Sequence, residues 1–146
     1  MLGAKRLLSW NCQGLRNPWT GQSLCKVMRE QAPNVCILME TRLDREGFVR
    51  LYGELPYSNR IIVKKPNLGG GLALIWKKEV LIDLLNFIAN HILVRVKEED
   101  GFEWWLTCFY RWLEVNQRHK SWELLEHLKS FIEGPWMCIG DFNAII

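Results

Sequence analysis

Trp136-Met137-Cys138-Ile139-Gly140-Asp141-Phe142-Asn143 is an apolar run that turns at a glycine and then presents an acid and an amide. A short continuous apolar run reads as a strand buried on both faces. The stretch therefore predicts a buried strand with Asp141 and Asn143 at its mouth. Elsewhere, Leu7-Leu8-Ser9-Trp10 runs into Asn11, and Val35-Cys36-Ile37-Leu38-Met39 runs into Glu40. Each run sets an oxygen-bearing side chain at a carboxyl end, where open sheets gather their ligands. Convergent oxygen donors suit a hard cation such as Mg²⁺. The carboxylates so placed are Glu40 and Asp141, and no base clearly belongs with them. The residues describe a site and imply that it is incomplete.

Working outward, Arg6 to Asn11 predicts a first strand and Gly14 to Gly21 a loop. Leu24, Val27 and Met28 stand at helical spacing, so a helix is expected over 22–31, ended by Ala32-Pro33-Asn34. A short helix is expected near Glu46–Leu51, and strands over 57–63 and 72–76. The region 80–88 is ambiguous and is read as a strand. Strands over 92–96 and 104–110 flank the acidic turn Glu98-Glu99-Asp100-Gly101. Leu124, Leu125, Leu128, Phe131 and Ile132 form a helical stripe, with Ser121 as its expected N-cap. The pattern predicts an α+β domain, a mixed sheet covered by helices on one side.

At 146 residues the chain amounts to one domain, and 49% hydrophobic residues suffice for a core. Eight Trp imply a thick core or a surface made to be covered. The net charge of +3 permits nucleic-acid binding without demonstrating it. Local basic clusters are Lys64-Lys65, Lys77-Lys78 and Arg118-His119-Lys120. Cys12, Cys25, Cys36, Cys108 and Cys138 form no CxxC pair and are read as reduced thiols of an intracellular protein. No apolar stretch approaches the roughly 18 residues of a membrane span, and no signal-peptide pattern opens the chain.

Each candidate has a plain alternative. Glu40 reads as a metal carboxylate or as an acid at a helix start, and Asp141 as a site acid or a turn residue. Asn11 and Asn143 suit phosphate contact or a turn. Tyr110, at a strand end, suits a phosphate or the core. Gly69-Gly70-Gly71 lacks the spacing of a phosphate loop and precedes a strand, so a sheet turn is expected. His127 falls on a polar helix face, and Trp104-Trp105 reads as sheet packing rather than a base-stacking platform.

Taken in order, these motifs resemble the endonuclease/exonuclease/phosphatase family. They are most similar to the apurinic/apyrimidinic-like endonuclease domains of plant LINE-type non-LTR retrotransposons. The resemblance rests on Leu8 to Leu15, Leu38 to Arg42, Gly69 to Lys77, Thr107 to Tyr110, Ser121 to Leu125 and Gly140 to Asn143. It implies a four-layer αββα sandwich and Mg²⁺- or Mn²⁺-dependent hydrolysis of phosphodiesters in DNA, in the nucleus. By match, Glu40 would ligate the metal with Asn11 beside it, and Tyr110 would orient the scissile phosphate. Asp141 would position or activate water, and Asn143 would contact the phosphate.

Two departures follow. Arg111 and Leu113 stand where the family has Gly and Pro after its Phe-Tyr motif. The family also continues past the Gly-Asp-Phe-Asn motif to a late Asp-His pair, so residues 1–146 are expected to be a partial domain with an incomplete second sheet. The readings kept open are a crippled nuclease and a non-catalytic remnant that binds nucleic acid weakly. A third is a phosphatase of the same family. Exposed sheet edges would favour self-association.

Overall fold

A computed structural model describes residues 6–64, 70–110 and 119–141. Two four-stranded mixed sheets carry the fold. The first is built from β1 (Leu7–Asn11), β2 (Val35–Met39), β3 (Asn59–Val63) and β4 (Leu72–Trp76), in the order β1-β2-β4-β3. The second is built from β5 (Leu81–Ile88), β6 (His91–Lys97), β7 (Glu103–Tyr110) and β8 (Trp136–Asp141), in chain order. The helices are α1 (Pro18–Gln31), α2 (Arg45–Tyr52) and α3 (His119–Lys129).

Each sheet contains one parallel pair, β1 with β2 and β7 with β8. Parallel neighbours need a crossover, and a helix lies within each connection: α1 in the first, α3 in the second. Four carboxyl ends are thereby set out in two adjacent pairs. Asn11 is the Cα partner of Met39, the residue before Glu40. Tyr110 is the Cα partner of Asp141.

Strand alternation divides the core. Val35, Ile37, Met39, Leu72, Leu74 and Trp76 face the other sheet and pack with Ile92, Val94, Val96, Leu106, Cys108 and Tyr110. The opposite face of the first sheet (Cys36, Leu38, Ala73, Ile75) packs beneath Leu24 and Met28 of α1 and Phe48 of α2. Phe131 and Glu133, just past α3, line a cavity with Leu85, Leu93, Arg95 and Trp105 on the outer side of the second sheet. Helices thus lie outside both sheets, where the pattern of apolar runs had suggested one covered sheet.

Three further expectations are corrected. Helix α1 begins at Pro18, not near Gln22: Asn17 caps it by accepting from the Trp19 N–H at 3.0 Å, and Pro18 occupies the first helical turn, where its missing N–H costs nothing. Ser121 is a buried residue within α3, not its N-cap. The run 136–139 is an edge strand among the described residues, with Met137 and Cys138 exposed. An apolar run does not itself reveal whether a second neighbour is present. Cys12, Cys36 and Cys108 are buried thiols.

Candidate metal and phosphate site

The ladder between β1 and β2 continues past both strand ends. The Cys12 N–H donates to the Met39 carbonyl at 2.8 Å, Gly14 N–H to the Glu40 carbonyl at 2.8 Å, and Leu15 N–H to the Thr41 carbonyl at 3.1 Å. This joint is strained. Gln13, Glu40 and Arg42 have φ of 50°, 51° and 56°, in the left-handed region that L side chains avoid. Such residues persist only where their surroundings hold them, and they collect at functional sites.

Asn11 Oδ1 accepts from the Gln13 N–H at 3.2 Å, so the amide oxygen is already turned toward the loop that leaves β1. Glu40 is half-buried. Its charge is felt by Cys12, whose thiol is pushed up to about 12 by burial first and by the Glu40 carboxylate second. Basic side chains rim the same mouth. A Cβ on Gly14 would meet Arg42 Cδ and Nη1 at 3.3 Å, so the Arg42 stem lies across that turn. Asp44 caps α2 by accepting from the Gly47 N–H at 2.7 Å. That bond chiefly holds its carboxyl below the usual range, helped by nearby Lys64 and Arg16. Of this rim, only Lys64 stood out in the sequence. Arg16 and Arg42 are scattered, and only the fold assembles them.

On the second sheet, Tyr110 and Asp141 lie side by side. Tyr110 is 1% exposed and its ring belongs to the inter-sheet core, whereas Asp141 is half-buried. The two sheets touch through β1 and β8. Asn143, Arg111, Leu113, Lys65, Gly69 and Arg118 lie outside the described residues. Among the described residues no group of three or more His, Cys, Asp or Glu gathers as a ready ligand cluster. His127 is exposed and packs edge-on against Phe131, with ring centroids 5.1 Å apart.

The donors suit Mg²⁺. This cation is content with one or two carboxylates and retained water, and Glu40 with the Asn11 amide oxygen provides hard oxygens without competing nitrogen or sulfur. Burial and the Glu40 charge disfavour the thiolate of Cys12, the nearby sulfur.

Two mixed sheets packed face to face between helices, with polar residues at parallel-strand mouths, form a recurrent sandwich. The same fold occurs in the human Nocturnin catalytic domain, at 19% identity and TM-score 0.73, covering 96% of this chain and 65% of that one. It also occurs in a humanized D. rerio TDP2, at 19% identity and TM-score 0.67, covering 97% and 67%. A third example is the AP endonuclease LMAP from Leishmania major, at 16% identity and TM-score 0.70, covering 94% and 54%. The chain spans two thirds or less of the length of these structures. No match is found among the curated proteins. Residues 8–145 match the Endonuclease/Exonuclease/phosphatase family, and the chain belongs to it. No helix among the described residues is long and apolar enough to cross a membrane.

Proposed function

We propose that this chain carries part of a Mg²⁺- or Mn²⁺-dependent DNA phosphodiesterase site of LINE-type retroelement origin, acting in the nucleus. The observation that supports this reading is the strained joint at Gln13, Glu40 and Arg42, which lies just past the carboxyl ends of the parallel pair that carries Asn11 and Glu40. Glu40 and Asn11 hold the cation. When bound, it polarises the phosphoryl oxygen and stabilises the leaving oxyanion. Arg42, Arg16 and Lys64 draw the DNA backbone to the mouth by charge. Asp141 orients the attacking water and accepts its proton as the water oxygen bonds to phosphorus. Tyr110 orients the phosphate and Asn143 contacts it.

The 146-residue polypeptide, tested as such, nicks DNA slowly or not at all. The resemblance puts a further Asp-His pair beyond the Gly-Asp-Phe-Asn motif, and losing an acid–base group costs about 10²–10⁴-fold in rate. A non-catalytic nucleic-acid-binding role is the second reading. The burial of Tyr110 favours it, because the phenol has to become accessible before it can orient a phosphate.

The test is nicking of supercoiled plasmid with Mg²⁺ or chelator, beside Glu40→Ala and Asp141→Asn, with Mn²⁺ and DNA binding measured in parallel. Mn²⁺ binding lost in Glu40→Ala, with weak salt-sensitive DNA binding and little nicking, is expected. Robust nicking that needs both acids would overturn the loss of activity and keep the site. Absence of both metal and DNA binding from a folded chain would sink both readings.

A further inference from the structure

Glu40 sits at a one-residue irregularity in the ladder between β2 and β4. Up to the strand ends the antiparallel register is regular, with Leu38 opposite Ala73 and Met39 opposite Leu72. Beyond them, the Thr41 N–H donates to the Gly71 carbonyl at 3.4 Å and the Arg42 N–H to the Gly70 carbonyl at 2.8 Å. The register has advanced by one, so Glu40 and Thr41 together oppose Gly71. That is a β-bulge, a device that re-aims one side chain and increases local twist. The left-handed φ of 51° at Glu40 is its conformational signature.

The partner side of the bulge admits only glycine. Gly71 has φ +105°, and a Cβ there would lie 2.5 Å from Thr41 Oγ1 and 3.2 Å from the Arg42 nitrogen. Thr41 Oγ1 has little room to retreat. Thr41 is buried, and its hydroxyl accepts from the Leu43 N–H at 3.4 Å. From the other flank, Gly14 and Leu15 bond to the Glu40 and Thr41 carbonyls. The backbone on both sides of Glu40 is thus gripped from two directions.

We infer that Gly71 is a positioning residue for Glu40: its missing side chain lets Thr41 lock the bulge that aims the Glu40 carboxylate. This rests on the reading of Glu40 as a metal ligand. Gly71→Ala forces Thr41 away and releases Glu40 toward ordinary strand geometry. The carboxylate remains in the chain but no longer points where Asn11 can share a cation with it.

Gly101 supplies the control. It has φ +90°, yet a Cβ there would meet nothing within 4 Å, so Gly101→Ala imposes backbone strain without a clash and far along the chain from Glu40. The experiment is Mn²⁺ titration of the full 146-residue chain by electron paramagnetic resonance, with a circular-dichroism melt of every variant. Gly71→Ala is expected to weaken Mn²⁺ binding tenfold or more while melting cooperatively, and Gly101→Ala to leave binding unchanged. Should Gly71→Ala fail to fold, Thr41→Val removes the hydroxyl at similar volume. It is expected to weaken binding severalfold, with Thr41→Ser retaining parental affinity. Parental affinity in a folded Gly71→Ala, or in Thr41→Val, overturns the inference. Parental affinity in Glu40→Ala, or none in the parent chain, instead removes the metal reading and this inference with it.

Discussion

Asn90 engages both main-chain polar groups of Tyr110: its Nδ2 donates to the Tyr110 carbonyl at 3.1 Å, and its own carbonyl accepts from the Tyr110 N–H at 2.8 Å. The β6–β7 ladder has its last pair at His91 and Phe109, so Tyr110 is one residue beyond it. The Asn90 side chain stands in for the ladder there, and it is buried.

Asn90→Ala therefore removes a buried bond at the strand mouth that carries Tyr110. A net loss of about 1–3 kcal/mol is expected in urea unfolding. Asn90→Asp is expected to be no better, because a carboxylate has no N–H to donate to the Tyr110 carbonyl. Unchanged midpoints in both variants would show that the bond contributes nothing to stability.

His91, the next residue, makes stability depend on pH. It is 1% exposed, and its Nε2 lies 2.9 Å from Asn86 Oδ1, so Nε2 carries the proton of the neutral ring. Burial lowers its pKa from 6.5 to about 4. The folded state thus disfavours the charged form, and below about pH 6.5 the unfolded chain binds more protons. The His91 contribution is complete above that pH and falls as acid is added, by about 1.4 kcal/mol per pH unit, until the folded group titrates near 4. Between pH 7.5 and 5 the loss is about 2 kcal/mol. Unfolding free energies of the parent and of His91→Asn, from urea titrations at the two pH values, should diverge by that amount, and parallel profiles would contradict the assignment.

Gly21 in helix α1 runs against propensity. Ala at an exposed helix-interior glycine stabilises by about 1 kcal/mol. Here a Cβ would collide with the hydroxyl of Tyr52, which donates to the Leu15 carbonyl. Gly21→Ala is expected to lower stability by about 1–3 kcal/mol, the usual cost of overpacking. The pair Gly21→Ala with Tyr52→Phe should recover part of it. A thermal melt in which Gly21→Ala alone gains stability would mean that Tyr52 moves aside freely.

The same glycine shows where sequence reading stopped. Gly21 and Pro18 were grounds for a loop, because both break helices in isolation. Pro18 instead begins the helix behind its Asn17 cap, and Gly21 is needed by a tyrosine 31 positions away, which no local pattern reveals. Strands with continuous apolar runs were readable: β2 and β4 lie where their runs predict. The residues at strand mouths were readable for the same reason, since polarity changes abruptly at Asn11 and Glu40. Their conformation was not. Nothing in Met39-Glu40-Thr41 announces a bulge, because its partner is Gly71, just before β4 and some thirty residues away, and the basic rim of Arg16 and Arg42 exists only in three dimensions.

The edge formed by β8 predicts a property of the chain in solution. Among the described residues β8 pairs only with β7, Met137 is 45% exposed, and no charge interrupts the strand before Asp141. An apolar edge strand with no second strand beside it among the described residues is a template for another strand. The opposite edge, β5, is better guarded, because Asp83 at 3.1 Å from Arg95 and 3.0 Å from Lys97 places a charge cluster along it, and the strand carries a register shift between Leu84 and Asn86. Self-association is therefore expected to run through β8. Sedimentation velocity over a tenfold concentration range should show the parent growing in apparent mass. Met137→Lys should suppress that growth without lowering the melting temperature, because a surface side chain is exchanged for one that repels its counterpart. Lys substituted at Leu84 on β5 serves as the comparison. If it suppresses growth and Met137→Lys does not, the contact lies on the other edge, and the expectation for β8 fails.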